Sequence, residues 1–146
     1  MFSRLVPALF LSLFLLACAT TSSTSKKDIN TLIGSKYPNG AFIIDVESAN
    51  NLISTKIMIA SIKAGNSSST SQAILKLLSN KNSTKPVVVT GADSNLAAAT
   101  LERALVDGKG KVSGSKVVFM GPLDLKDSLS KAANDSGVLL DFVANP

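Results

Sequence analysis

Val87-Val88-Val89-Thr90-Gly91-Ala92-Asp93-Ser94 is the stretch whose reading decides the fold. Three β-branched residues in a row, with no polar alternate, predict a strand buried on both faces, as in a parallel sheet. A helical pattern follows almost at once. Residues 95–106 place Ala97, Leu101, Ala104 and Leu105 on one face and stop at Gly108, with Asp93 or Ser94 positioned to cap the first turn. A strand feeding a helix through a few glycine and cap residues is the start of a βα unit.

The same alternation extends in both directions. Downstream, 117–120 and 138–143 are short apolar runs that predict strands. Between them, 124–134 predicts a helix through Leu125, Leu129, Ala132 and Ala133, with Asp124 at its start and Gly137 at its stop. Upstream, 70–79 predicts a helix with Ala73, Ile74, Leu77 and Leu78 on one face, capped by Thr70 or Ser71. The apolar run 57–62 reads as a further strand, preceded by a short helix around Leu52 and Ile53. Ile57, Val87 and Val117 then open strands at 30-residue intervals. Nearer the start, 42–46 is a strand and Tyr37-Pro38-Asn39-Gly40 is a turn. Residues 28–36 form a helix carrying Ile29, Leu32 and Ile33, capped by Asp28 and stopped by Gly34.

Strands separated by helices imply a parallel sheet with right-handed crossovers. The expected fold is α/β: one domain over 28–146, a small three-layer sandwich with a mostly parallel sheet of four or five strands. It resembles Rossmann and flavodoxin-like folds. That resemblance is architectural and brings no function with it.

The first residues carry an address. Arg4 is the sole charge before Cys18, and the Leu- and Phe-rich run 5–16 is too short to span about 30 Å of hydrocarbon as a helix. Its length and its positive flank are those of a signal peptide, assigned to 1–17. Leu15-Leu16-Ala17-Cys18 resembles the lipobox of bacterial lipoproteins. The resemblance implies diacylglyceryl transfer to the Cys18 thiol, cleavage before it, and acylation of the new amino group. Cysteine suits the role because a thiolate is a far better nucleophile than a hydroxyl. More than one acyl chain makes the anchoring durable. Cys18 and the Ser/Thr-rich segment to residue 27 form a tether expected to be disordered. Ala19 in place of Asp implies, by the family's sorting rule, an outer-membrane address facing the periplasm.

Chemical equipment beyond Cys18 is sparse. The chain has one Cys, no His and a net charge of +5. Parallel sheets bind ligands at the C-terminal strand ends, where helix N-termini present free N–H groups. A ligand site there would gather Ser67, Ser68, Gly91, Asp93, Ser94 and Asp124, and an anion or a sugar would suit such loops. The same residues are what turns and helix caps demand. Gly91-Ala92-Asp93-Ser94 is superficially similar to the Gly-Asp-Ser block of SGNH esterases, yet Ala92 intrudes and no imidazole exists to serve as base. Gly108-Lys109-Gly110-Lys111 lies between a helix and the next strand, on the wrong side for a phosphate loop. It reads as a basic surface turn able to touch an anionic polymer or lipid. Asp45, Asp93 and Asp124 are the carboxylates that could hold a hard cation, but two of them have capping duties, so neither metal nor cofactor is expected. Scattered lysines, few aromatics and an envelope address argue against nucleic acid.

The expected function is therefore a membrane-anchored, non-enzymatic envelope module that contacts another envelope protein or the cell wall. The alternative is a small-ligand binder or hydrolase using the loops around Gly91 to Ser94. The anchor has a direct check: a clickable fatty acid fed to cells should label the wild-type chain in the membrane fraction and leave Cys18→Ser unlabelled, and equal labelling of both would refute the lipobox reading.

Overall fold

The computed structural model describes residues 26–144. The signal peptide, Cys18 and the Ser/Thr-rich part of the tether lie outside the described residues. The elements in chain order are helix α1 (Lys26–Lys36), strand β1 (Phe42–Val46), helices α2 (Leu52–Lys63) and α3 (Ser69–Leu78), strand β2 (Val87–Gly91), helix α4 (Ser94–Asp107), strand β3 (Lys116–Gly121), helix α5 (Lys126–Ser136) and strand β4 (Leu139–Ala144). A short 3-10 turn, Leu123–Leu125, precedes α5.

The four strands form one sheet, all parallel, in the order β1-β2-β3-β4. This is the three-layer α/β sandwich that the alternation of strands and helices predicts. Because each strand adds on the same side as the last, the usual right-handed crossover sends every connecting helix to one face. The core is divided accordingly. Val87, Val89, Val117 and Phe119 face α2 to α5 and pack with Ile62, Ile74, Leu101 and Leu129. Their alternates, Val88, Val118 and Met120, face the opposite way and meet only Ile29 and Ile33 of α1, with Tyr37, Ala41 and Val143 at the margin. The period-2 side-chain alternation of β2 and β3 thus builds both cores from consecutive residues.

Helix α4 is the centre of the thick layer. Leu96, Ala97, Ala98, Ala99, Thr100, Leu101, Ala104 and Leu105 are all buried, and the helix touches α2, α3, α5, β1 and β2. Its approach to the sheet depends on Gly91: a Cβ there would lie 2.8 Å from the Val46 carbonyl oxygen and 3.3 Å from Ala97 Cβ. Asp93 caps the helix, its carboxylate accepting from the Leu96 amide at 2.9 Å.

Several expectations need correction. Asp28 lies inside the first turn of α1, which begins at Lys26, and α3 begins at Ser69 with Ser68 as its N-cap in place of Thr70 or Ser71. Residues 57–62 are not a strand; they belong to α2, which starts at Leu52 with Asn51 as N-cap, its side chain accepting from the Ser54 amide. The run misleads because α2 is apolar nearly all round. Only Thr55 and Ile62, with Ile59 half-buried, form the stripe turned inward. Equal hydrophobicity on the outward side hides the 3.6-residue period. The 30-residue interval therefore joins two strands and a helix. Gly34 does not stop α1, which continues to Lys36. What ends it is Pro38, since the residue before proline disfavours helical dihedrals, and the turn closes with the Gly40 amide donating to the Tyr37 carbonyl.

These two glycines should respond in opposite ways to alanine. Gly91→Ala forces backbone movement at Val46 and should cost about 1–3 kcal/mol of folding stability. Gly34→Ala, at a helical site with nothing within 4 Å, should add about 0.5–1 kcal/mol. Urea denaturation of both variants checks this, and a neutral Gly91→Ala would contradict the close helix–sheet approach.

Candidate functional site

The C-terminal strand ends are the place to look for a ligand crevice in a parallel sheet, and the crevice forms where strand order reverses. Among the described strands no reversal occurs. The residues at that edge are instead occupied by the fold. Gly91 is the last residue of β2 and serves the contact with Val46 and α4. The Asp93 carboxylate is bonded to its own helix, and Ser94 is the first residue of α4. Asp124 is exposed in the 3-10 turn and makes no capping bond to α5, whose N-cap residue is Leu125.

Ser67 and Ser68 are elsewhere. Because 57–62 is helical, the chain turns at Gly65 at the far end of α4. There Ser67 Oγ donates to Asp107, the last residue of that helix, at 2.6 Å. Ser68 forms a capping box with Ser71: its Oγ accepts from the Ser71 amide at 3.0 Å, and its amide donates to Ser71 Oγ at 2.9 Å. A helix of 14 residues, about 20 Å long, separates these serines from Asp93 and Ser94. The structure thus brings together Gly91, Asp93 and Ser94, with Asp124 on the neighbouring connection, and excludes Ser67 and Ser68 from that edge. Among the described residues no group of three or more His, Cys, Asp or Glu could hold a metal ion.

Two other polar clusters clamp helices. Asp107 pairs with Arg103 as well as with Ser67. The Arg103 hydrogen bond, opposed by burial and aided by the Ser67 hydroxyl, holds the Asp107 carboxyl below the usual carboxylate range. The second cluster fastens α1 to the sheet edge. Tyr37 Oη donates to Asp141 on β4, Lys36 Nζ sits 2.8 Å from the same carboxylate, and Lys116 Nζ lies 5.0 Å from the Tyr37 ring centroid. Burial pushes the Tyr37 hydroxyl up to about 12, with the hydrogen bond to Asp141 and its charge adding to the rise. At Asp141 burial opposes ionisation, but hydrogen bonds from Lys36 and Tyr37 and nearby positive charge win, so its pKa is lowered.

The feature that sequence reasoning missed is the outward face of α2. Leu52 is 66% exposed, Ile53 72% and Ile57 63%, with Met58 beside them at 38%. Lys56 is the one charge amid this patch. Isolated exposed apolar residues are ordinary, but a contiguous set on one helix marks a contact surface. The signal lay in Asn51 followed by twelve residues without Gly or Pro, which suits one helix better than a helix and a strand. A second surface feature, a groove of about 310 Å³ between α4 and α5, has Leu105, Val106 and Ala132 in its wall and the Lys131–Asp135 ion pair, 2.7 Å, on its rim.

No protein-family model, no curated protein and no solved structure matches the chain. Function must be argued from the surfaces themselves.

The α1 clamp makes a pH-dependent prediction. Tyr37 has a raised pKa, so its contribution is full below pH 10 and is lost as pH rises through about 12. The lowered pKa of Asp141 means that its contribution holds above about pH 4 and is lost under more acidic conditions. Tyr37→Phe should cost about 1–2 kcal/mol at pH 7 and should flatten the fall in stability between pH 10 and 12. Denaturant midpoints at pH 7 and 11 measure both effects; an unchanged alkaline slope would dissociate Tyr37 from α1 docking.

Proposed function

We propose that this chain is a lipid-anchored, non-enzymatic module of the bacterial envelope, tethered through Cys18 and docking on another envelope protein through the outward face of α2. The observation that carries the reading is the exposure of Leu52, Ile53 and Ile57 on a single helix. Covering each would contribute up to about 1.5–3 kcal/mol, enough for a specific contact once polar neighbours complete the rim. The matching recognition mode is a helix laid into an apolar groove of the partner, read through residues spaced i and i+4, here Ile53 and Ile57.

Three further observations support a contact role over catalysis or small-ligand capture. The chain has no histidine, and its one thiol falls in the lipobox resemblance. Asp93 caps its own helix, and the serines that would have joined it bond at the other end of α4. The sequential strand order offers no switch-point crevice. The outer-membrane address facing the periplasm belongs to the same proposal and rests on the lipobox and Ala19.

Site-specific photo-crosslinking in intact cells tests the docking surface. A photoreactive residue at position 53 should give a discrete higher-mass adduct, whereas one at the exposed position Lys76 on α3 should not. Ile57→Glu should abolish the adduct while shifting folding stability by no more than about 0.5 kcal/mol, as befits an exposed site. Failure of position 53 to crosslink in membrane-bound protein would remove α2 from the docking role.

A further inference from the structure

The connecting loops at the two ends of the sheet carry opposite charge, with Lys26, Lys27 and Lys126 beginning helices beside the acidic loops. At the C-terminal strand ends, the connections 47–51, 92–93 and 122–125 contain Glu47, Asp93 and Asp124 and no lysine or arginine. At the N-terminal strand ends, the connections 37–41, 79–86, 108–115 and 137–138 contain Lys81, Lys85, Lys109 and Lys111 and no aspartate or glutamate. Lys36 closes α1 and Lys116 opens β3 at this same end. All six of these lysines are exposed.

Among the described residues no carboxylate forms an ion pair with Lys81, Lys85, Lys109 or Lys111. Asp107 is paired with Arg103, Asp135 with Lys131, and Asp141 with Lys36. The charge of Lys109 is felt at Asp135 less than that of its partner Lys131. Lys81 Nζ donates to the Ser113 carbonyl at 2.6 Å, drawing the 79–86 connection against 108–115, and Lys85 Nζ lies 5.9 Å from the Phe42 ring centroid. β2 and β3 are adjacent, so their entry loops sit about one strand spacing apart, roughly 4.8 Å at the strand starts. The result is a compact cationic platform on glycine-containing turns, with Gly110 and Gly114 in the left-handed region at φ 82° and 83°.

We propose that this platform binds a linear anionic polymer of the cell wall, one bearing repeated phosphate or carboxylate groups. A polymer suits the site because the lysines are spread over two loops, and of the four it is Lys109 that borders the groove between α4 and α5, so the set fits a succession of charges better than one small anion. The choice of a wall polymer over the chain's own membrane rests on the anchor reading given above. Helix α1 leads from Lys26 back along the sheet to Lys36 beside the lysine-bearing loops, so the chain enters the domain at the end opposite those loops. An anchor at Cys18 therefore joins the domain at the end opposite the lysine platform, which leaves the platform open to a polymer beyond the membrane surface.

The test uses the full chain in a neutral detergent, with long-chain inorganic polyphosphate and poly-glutamate as probes, titrated by fluorescence anisotropy at several salt concentrations. Binding should weaken with salt with a log–log slope near 3, at about 0.7–0.9 per neutralised charge for four lysines. The double variant Lys109→Glu/Lys111→Glu should bind about tenfold more weakly, and Lys109→Gln/Lys111→Gln should show a smaller loss in the same direction. A control of equal net charge, Lys56→Glu/Lys126→Glu, should change affinity by less than about twofold. Equal losses in the two charge-reversed doubles, or no binding of either probe, would overturn the proposal. So would lysine-dependent binding to phosphatidylglycerol-containing vesicles that exceeds binding to both polymers, since it would assign the platform to a lipid surface. Because the assay needs neither acylation nor a protein partner, its outcome is independent of the Cys18 labelling and the position-53 crosslink.

Discussion

The close approach of α4 to the sheet is the contact on which the rest of this structure depends. Only glycine at position 91 lets the end of β2 lie against the Val46 carbonyl with Ala97 above it, and the run Ala97, Ala98 and Ala99 keeps the helix slim where it meets the strands. With α4 seated, α2, α3 and α5 each have a flank to pack on. Interiors are close-packed, so a single added methyl at such a point is felt throughout the layer. Gly91 is thus a packing residue, which accounts for a glycine at the strand end without invoking a ligand.

Strand order sets the second constraint. In a sheet built β1-β2-β3-β4 the crossovers fill one face and leave the other to whatever precedes β1. Among the described elements, α1 is the helix that covers Val88, Val118 and Met120, using little more than Ile29 and Ile33. So small an apolar contact benefits from a polar clasp at its margin, which Tyr37, Lys36 and Asp141 provide. The two layers therefore differ in kind: one is a thick hydrophobic assembly, the other a single helix secured by charge-assisted bonds.

Most of the architecture was legible because β2, β3 and their helices obey simple patterns. Triple valines bounded by glycine, helices opening on Asp93 and closing at Gly108 or Gly137, and the Tyr37–Gly40 turn all act locally, within a few residues. Gly137 illustrates this well, since it adopts φ 73° at the C-cap, a conformation that glycine tolerates best. What failed was the segment whose hydrophobicity exceeds its burial. Residues 57–62 have the composition of an inner strand, but much of the apolar surface of α2 stays outside, and no local signal separates an apolar face left exposed from one meant for the core. That single error carried Ser67 and Ser68 to the wrong end, because a strand ending near Gly65 would have delivered them to the ligand edge. The charge pattern was hidden differently. Lys81, Lys85, Lys109 and Lys111 look scattered in the chain, and only the topology gathers them on neighbouring loops.

The unreversed strand order has a further meaning for how the chain reaches this state. Each strand's partner is the one just before it in sequence, so no segment must wait for a later one to be inserted between neighbours. The segments closed between consecutive strands are 47–86, 92–115 and 122–138, and the entropic cost of closing a loop grows only slowly with its length. A chain emerging amino end first can lay β2 on β1, β3 on β2 and β4 on β3 in the order of their appearance, with each α-helical crossover settling on the growing layer. In that order of assembly the growing edge of the sheet is at every stage the strand most recently delivered.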